Sequence, residues 1–287
     1  LSQNADYCAP SVPFDPAEKF KPVQNTDSLI SENGELLEIL SLHDFLTGNA
    51  TGILPEIKQL QRNAGDTTTN GELVRIKIKQ RIQNRLFQVS TEISGLAAEL
   101  DCAGERADQM ASFLDNRDKK RTNRLTIASV ITGSLATVAA VLVSGQGAQN
   151  TITIGGGLLS AGLSAFTIKP PGHKMQYEHG RNLLADIWNV PKTSKMYSPA
   201  IWYILNERQF SNGKELSLIK SIKERWTEFE LSKQDDSQAA LLFEKGGIYD
   251  ADLLHTRATM LNQLQSTIRS IDQDIQSLLP ALNRIEK

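Results

Sequence analysis

Apolar residues recur at helical spacing along most of this chain, and two stretches keep the spacing long enough to form seams. In the first, Ile78, Ile82, Leu86, Val89, Ile93, Leu96, Leu100, Ala103, Ala107, Met110 and Leu114 follow one another at intervals of three and four residues. This is the heptad pattern of a long helix with one apolar stripe. At the α-helical rise it would span about 55 Å. The stripe narrows to Ala103 and Ala107, so the closest helix approach is expected near Cys102. The second seam runs through Leu254, Leu261, Leu264, Ile268, Ile271, Ile275, Leu278, Leu282 and Ile285, with Arg257 as its one polar interruption. Two such seams want partners. The simplest arrangement folds them antiparallel on each other and on the helix before Thr47. Assembly with further copies of the chain or with sister subunits is the alternative that spacing leaves open. Pro280 is expected to kink or fray the last turns.

The remaining segments read as shorter pieces around those seams. Pro10, Pro13, Pro16 and Pro22 deny helix to the start of the chain and predict an extended strap. A helix is predicted from the Asp27/Ser28 region to Thr47 with Gly48 as its stop, then another over Pro55 to Arg62, then a loop over Asn63 to Asn70. After the middle of the chain, Lys174 to Trp188, Pro199 to Arg208, Lys214 to Phe229 and Ser237 to Lys245 each read as helical. This region holds most of the large aromatics, among them Trp188, Trp202 and Trp226, which suit the core of a small helical head. The fold class predicted is all-α: an elongated bundle of long coiled-coil-like helices with a mid-chain apolar hairpin and a small helical head. The divisions are 1–26 for the leader, 27–124 and 249–287 for the bundle, 125–168 for the hairpin and 169–248 for the head.

The hairpin is the feature that bears on function. Leu125 to Val143 carries no charge, with Leu125, Ile127, Val130, Ile131, Leu135, Val138, Val141 and Leu142 as its large apolar residues. A small polar connector, Ser144 to Thr151, leads into a second uncharged run with Ile152, Ile154, Leu158, Leu159, Leu163 and Phe166. The first run is long enough to span a bilayer as a helix and the second sits at the short limit. Its feet are basic: Arg117, Lys119, Lys120, Arg121 and Arg124 before it, Lys169, His173 and Lys174 after it. That arrangement keeps both feet on one side and leaves only the light tip to cross. Small residues repeat at every fourth position in each run, Gly133 and Thr137 in the first and Gly157, Ala161 and Ala165 in the second, and allow close helix packing. Abundant Ser and Thr lower the gain from entering lipid, although hydroxyls find backbone acceptors there. Three readings follow: a conditionally inserted tongue, a constitutive anchor, or the buried centre of a helical protein.

Composition narrows the remaining classes. Lys+Arg 31 against Asp+Glu 33 gives a net charge of -2, so no global field recruits nucleic acid, and none is expected as a partner. The start at Leu1 with a polar leader suits a mature exported chain, which makes the expected location secreted or cell-envelope. In that setting Cys8 and Cys102 are expected to form a disulfide between leader and body; two unrelated thiols are the cytosolic alternative. Asn49-Ala50-Thr51 matches a glycosylation triplet that arises readily by chance. No catalytic pattern is found. His43, His173, His179 and His255 lack metalloprotease spacing, Gly145-Gln146-Gly147 lacks a nucleotide-binding context, and Ser160 lacks a nucleophile elbow. A non-enzymatic protein without cofactor or metal is expected.

The order of elements from Glu72 to Lys287, a long amphipathic helix, an apolar hairpin and a long closing helix, resembles the α-helical pore-forming toxins of the cytolysin A and haemolysin BL type. The resemblance is architectural, and the compact aromatic segment after Pro171 departs from that pattern. It implies a helical bundle that shields an apolar tongue until it meets a lipid membrane, followed by assembly of copies or sister subunits into a ring.

Overall fold

The computed structural model describes residues 7–10, 20–142, 172–232 and 234–285, with only the backbone described over 129–142. Among these residues the chain is helical apart from one two-stranded sheet, and the fold is all-α. By packing it divides into two units. One comprises Leu1–Arg106, Glu178–Gly247 and Thr256–Lys287, and the other Ala107–Tyr177 and Ile248–His255.

In the first unit, the strap at Phe20 to Gln24 leads into helix α1 (Thr26–Asn33), capped by the Asn25 side chain, which accepts from the Ser28 N–H. The single helix expected from residue 27 to 47 is two helices in the structure. After α1 comes a short 3-10 turn, Gly34–Glu38, and a fresh start at α2 (Leu42–Thr51), where Ser41 Oγ accepts from the Asp44 N–H. A serine positioned to cap competes with continuing the helix. The stop is Gly52 rather than Gly48. Gly52 has φ of 78°, and a Cβ there would lie 2.9 Å from the Phe20 ring, so the residue is fixed by both its backbone conformation and the strap lying on it. Asn49 holds the same strap, accepting from the Val23 N–H at 3.1 Å and donating to its carbonyl at 3.0 Å. Buried and doubly bonded, its amide has no room for a glycan. Helix α3 (Leu54–Arg62) follows, with Pro55 in its first turn, where a missing N–H costs nothing.

Helix α4 (Thr69–Leu142) carries the first seam. Ile78, Ile82, Leu86, Val89, Ile93, Leu96 and Leu100 are all buried, as are Ala107 and Leu114. Between them the stripe passes through Gly104 and Ala111 instead of Ala103 and Met110. A Cβ on Gly104 would lie 2.6 Å from Asn262 Oδ1 and 3.7 Å from the Ala258 carbonyl, so the closest approach does fall beside Cys102, on a glycine. The facing helix, α9 (Ala251–Arg284), runs antiparallel: Ser90 Oγ bonds Asp272 Oδ1 at 3.0 Å, and Gln265 Nε2 donates to the Ala97 carbonyl at 3.3 Å. Each seven residues up α4 are matched by seven down α9, from Asp272 to Gln265 to Ala258. Leu254, Leu261, Leu264, Ile268, Ile271, Ile275, Leu278 and Leu282 of α9 are buried, and the helix continues through Pro280 to Arg284. Its C-terminal half also holds α2, since Ser277 Oγ donates to Asp44 at 3.2 Å and His43 Nε2 meets Asp274 at 3.1 Å.

The aromatic region differs from four plain helices. Met175–Glu178 forms strand β1, paired with β2 (Gly246–Tyr249), and Tyr177 meets Tyr249 edge-on at 5.6 Å. The helices that remain are α5 (Leu183–Asn189), α6 (Pro199–Asn206), α7 (Leu218–Arg225), which runs into a π-helical turn at Trp226–Leu231, and α8 (Asp236–Leu241). Helix α6 is buried from Ala200 to Leu205 and packs on α2. Trp188 stacks on Phe243 at 4.4 Å, both half-buried, and Tyr197, Trp202, Tyr203, Phe210 and Trp226 are buried as core, whereas Phe229 is 56 % exposed. Arg181 ties this region to α4, donating to buried Glu99 at 2.8 Å. Burial pushes the Glu99 carboxyl up, against the pull of Arg181.

Cys8 is joined to Cys102 with the two Cα atoms 5.6 Å apart. The bridge closes a loop of sequence separation 94, a length for which chain entropy alone gives about 4 to 5 kcal/mol. Two outcomes are expected in denaturant titrations. Cys8→Ser lowers unfolding free energy by several kcal/mol at most, about 2 to 5. Ile93→Ala, a fully buried seam residue, costs about 3 kcal/mol, whereas Phe87→Ala on the exposed face of the same helix costs less than about 0.5 kcal/mol.

Candidate functional site

The second unit contains the base of the predicted hairpin. Here α4 has passed its seam and turned basic: Arg117, Lys119, Lys120 and Arg124 are exposed and Arg121 is half-buried. Asp118 is the lone acid in that run. It accepts from the backbone N–H of His173 at 3.0 and 3.1 Å and also pairs with the His173 ring. The chain therefore leaves Asp118 along α4 and is back beside the same carboxylate at His173. Both ends of the stretch between them are held at one level of one helix. Lys174 follows, exposed, so Arg117, Lys119 and Lys120 on one side and Lys174 on the other each lie within two residues in sequence of the Asp118–His173 contact.

Beyond the base, Leu125 is half-buried and Ile127 is 59 % exposed. Thr126 Oγ1 donates to the Thr122 carbonyl at 2.9 Å. This back-bond is how a hydroxyl in an apolar helix satisfies itself without water. Phe113 is another exposed apolar side chain on α4, and the Arg117 guanidinium lies over its ring at 5.7 Å. Val130, Ile131, Leu135, Val138, Val141 and Leu142 stand on the backbone of α4 with side chains outside the described residues, and Ile152, Ile154, Leu158, Leu159, Leu163, Phe166 and Lys169 lie outside them altogether. Among the described residues no helix is long and apolar enough to cross a membrane. None of their acidic, histidine or cysteine side chains form a group of three that could hold a metal ion.

Two features of this unit escaped the sequence reading. The Asp118 clasp could have been suspected from a single acid inside Arg117 to Arg124. The second is His255 on α9, whose ring nitrogens meet Asp108 at 3.0 Å and Asp115 at 3.1 Å. Asp108 and Asp115 are one heptad apart on α4, but nothing in their spacing points to a histidine so distant in sequence.

The histidines differ in electrostatic setting. The hydrogen bond to Asp274 raises His43 above the ordinary imidazole range, against partial burial, and Asp274 and Asp44 add their charge. At His255 partial burial acts downward, but the bonds to Asp115 and Asp108 prevail and its value is raised. His179 is the reverse case. Burial, with Arg257 and Arg106 adding to it, pushes it down to about 2, so it stays neutral in the folded chain.

In comparisons with known proteins, no family model, curated protein or solved structure matches this chain.

The signs of these shifts give opposed pH dependences. A raised histidine contributes stability that is present in full below its unfolded value, near 6.5, and lost as pH climbs through the folded value. His179 contributes stability present above that unfolded value and lost as pH falls beneath it. Asp274→Asn should therefore cost about 1 kcal/mol at pH near 6 and clearly less at pH near 8.5 in denaturant titrations, with the His179 contribution cancelling in the difference.

Proposed function

We propose that this chain is an exported, membrane-active protein that inserts the apolar hairpin at 125–168 into a lipid bilayer and uses its long helices to carry that hairpin. The observation that carries this reading is the base. Helix α4 continues beyond Asp118 into a charge-free run, and the chain resumes at His173 against the same Asp118. Such a base, ringed by lysine and arginine, suits a tongue whose feet stay at the surface while its tip crosses. The Thr126 back-bond supports it, since hydroxyls paired in this way lower the cost of a Ser- and Thr-rich segment in lipid. The Cys8–Cys102 disulfide supports an oxidising compartment outside the cytosol.

The mode of action is proposed by analogy with the α-helical pore-forming toxins: a soluble form first, insertion on membrane contact, then assembly with copies of the chain or sister subunits. The test uses the oxidised full chain and dye-loaded phosphatidylcholine/phosphatidylglycerol vesicles. The expected result is a protein that is soluble without detergent and releases dye. Ala140→Asp, which puts a charge in the uncharged run, should cut release by about tenfold or more with helical content retained. A protein that never leaves the membrane fraction would instead identify a constitutive anchor. Absence of leakage, with Ala140→Asp unfolding the chain, would identify the hairpin as core.

A further inference from the structure

A groove in the first unit is formed between the strap and the turn after α5. It has a volume of about 240 Å³ and is lined by Lys21, Lys192 and Lys195, by Gln24, Thr193 and Ser194, and by Pro22, Tyr197, Pro199 and Trp202. The lysines come from two segments distant in sequence, Lys21 from the strap and the others from the turn after α5. Among the described residues that line the groove none is acidic, and none of the three ammonium groups has an ion-pair partner among the described residues. Like charges gathered on one concave wall repel each other in the empty state, in a chain whose overall charge is slightly negative.

The turn that carries two of those lysines is built rather than loose. It opens at Val190, whose φ of 47° is an uncommon backbone state for a β-branched residue. Ser194 Oγ then accepts from the N–H groups of Met196 and Tyr197, each at 2.9 Å, and donates to Asp186 at 2.6 Å. Arg181 donates to the Met196 carbonyl at 3.2 Å, and the Tyr197 hydroxyl donates to the Leu183 carbonyl at 2.7 Å. Asp186, the nearby carboxylate, is engaged by Ser194 Oγ and by the Lys195 backbone N–H at 3.3 Å. These bonds fix the backbone from Ser194 to Tyr197 that carries Lys195, and on the other side of the groove the strap is pinned at Val23 by Asn49. A backbone held from both segments is what a preformed ligand site needs.

We propose that this groove binds a phosphate monoester carried on a small ring. Three ammonium groups call for more than one negative charge, and a phosphate monoester carries close to two near neutral pH, whereas a carboxylate carries one. Gln24 and Thr193 supply polar partners for ring hydroxyls, Ser194 being spent on the turn itself, and the proline and aromatic side chains offer an apolar wall for the ring. Volume favours a single ring over a larger ligand. The ester is either a free metabolite or the headgroup of a lipid. The groove and the hairpin share no residue, so Ala140→Asp changes no groove side chain and a failure of either proposal is visible without the other.

The test is calorimetric titration of the oxidised full chain with inositol 1,4-bisphosphate, and flotation with phosphatidylcholine vesicles with and without phosphatidylinositol 4-phosphate, at about 0.15 M salt. Saturable binding of the soluble ester is expected, weakened about tenfold or more by Lys192→Gln with Lys195→Gln and by Lys21→Gln alone, and unchanged by Lys77→Gln on the exposed face of α4. Binding of the soluble ester alone assigns a free metabolite. Additional flotation that depends on the phosphoinositide and on Lys192 and Lys195 assigns a headgroup. No saturable binding of either probe, or an equal loss in Lys77→Gln, would overturn the proposal.

Discussion

Antiparallel packing of α4 on α9 is the interaction from which the rest of the first unit is hung, because each helix has one apolar stripe and neither can hide it alone. The register is set where the stripes come closest. Gly104 lets the two backbones approach, and Asn262 occupies the space a side chain would take. From there a seven-residue step is kept through Gln265 and Asp272. Three further parts of this unit attach to those two helices: α2 through His43 and Asp44, the aromatic region through Glu99, and the leader through Cys102.

Most of this was legible in the sequence because it is periodic. A stripe sustained from Ile78 to Leu114 admits no strand reading, and a charge-free run bounded by lysine and arginine is visible without a structure. What was not legible depends on local competition or on distant partners. Ser41 restarts a helix that the apolar pattern would have continued, since a hydroxyl that caps is worth as much as another turn. Met175–Glu178 is too short to show an alternation, and its pairing with Gly246–Tyr249 joins segments far apart in the chain. The seam shifts from Ala103 to Gly104 because helix approach there is decided by backbone contact, and a glycine is not counted as apolar when a stripe is read. The Asp118 clasp and the lysine groove are both assembled from segments that have no relation in sequence.

Charge is used differently along α4. Among the described residues of α4 the one buried charge is Glu99, and it is paired with Arg181. Past Leu114 cations crowd the helix, and one carboxylate, Asp118, receives the returning chain. The sequence of α4 passes from a stripe to a charge-free apolar run with a basic collar between them, and the proposed function assigns the stripe to packing against protein and the run to lipid.

Depth in the bilayer tests that account most directly. An environment-sensitive fluorophore is placed at residue 140 through a single added cysteine, with the Cys8–Cys102 bridge kept intact, and the chain is mixed with vesicles whose lipids carry quenchers in their acyl chains. The account predicts that emission shifts to the blue and is quenched from within the bilayer on vesicle addition, while the same label at residue 87 stays in water. Emission at residue 140 that is already blue in buffer and unchanged by vesicles would contradict it.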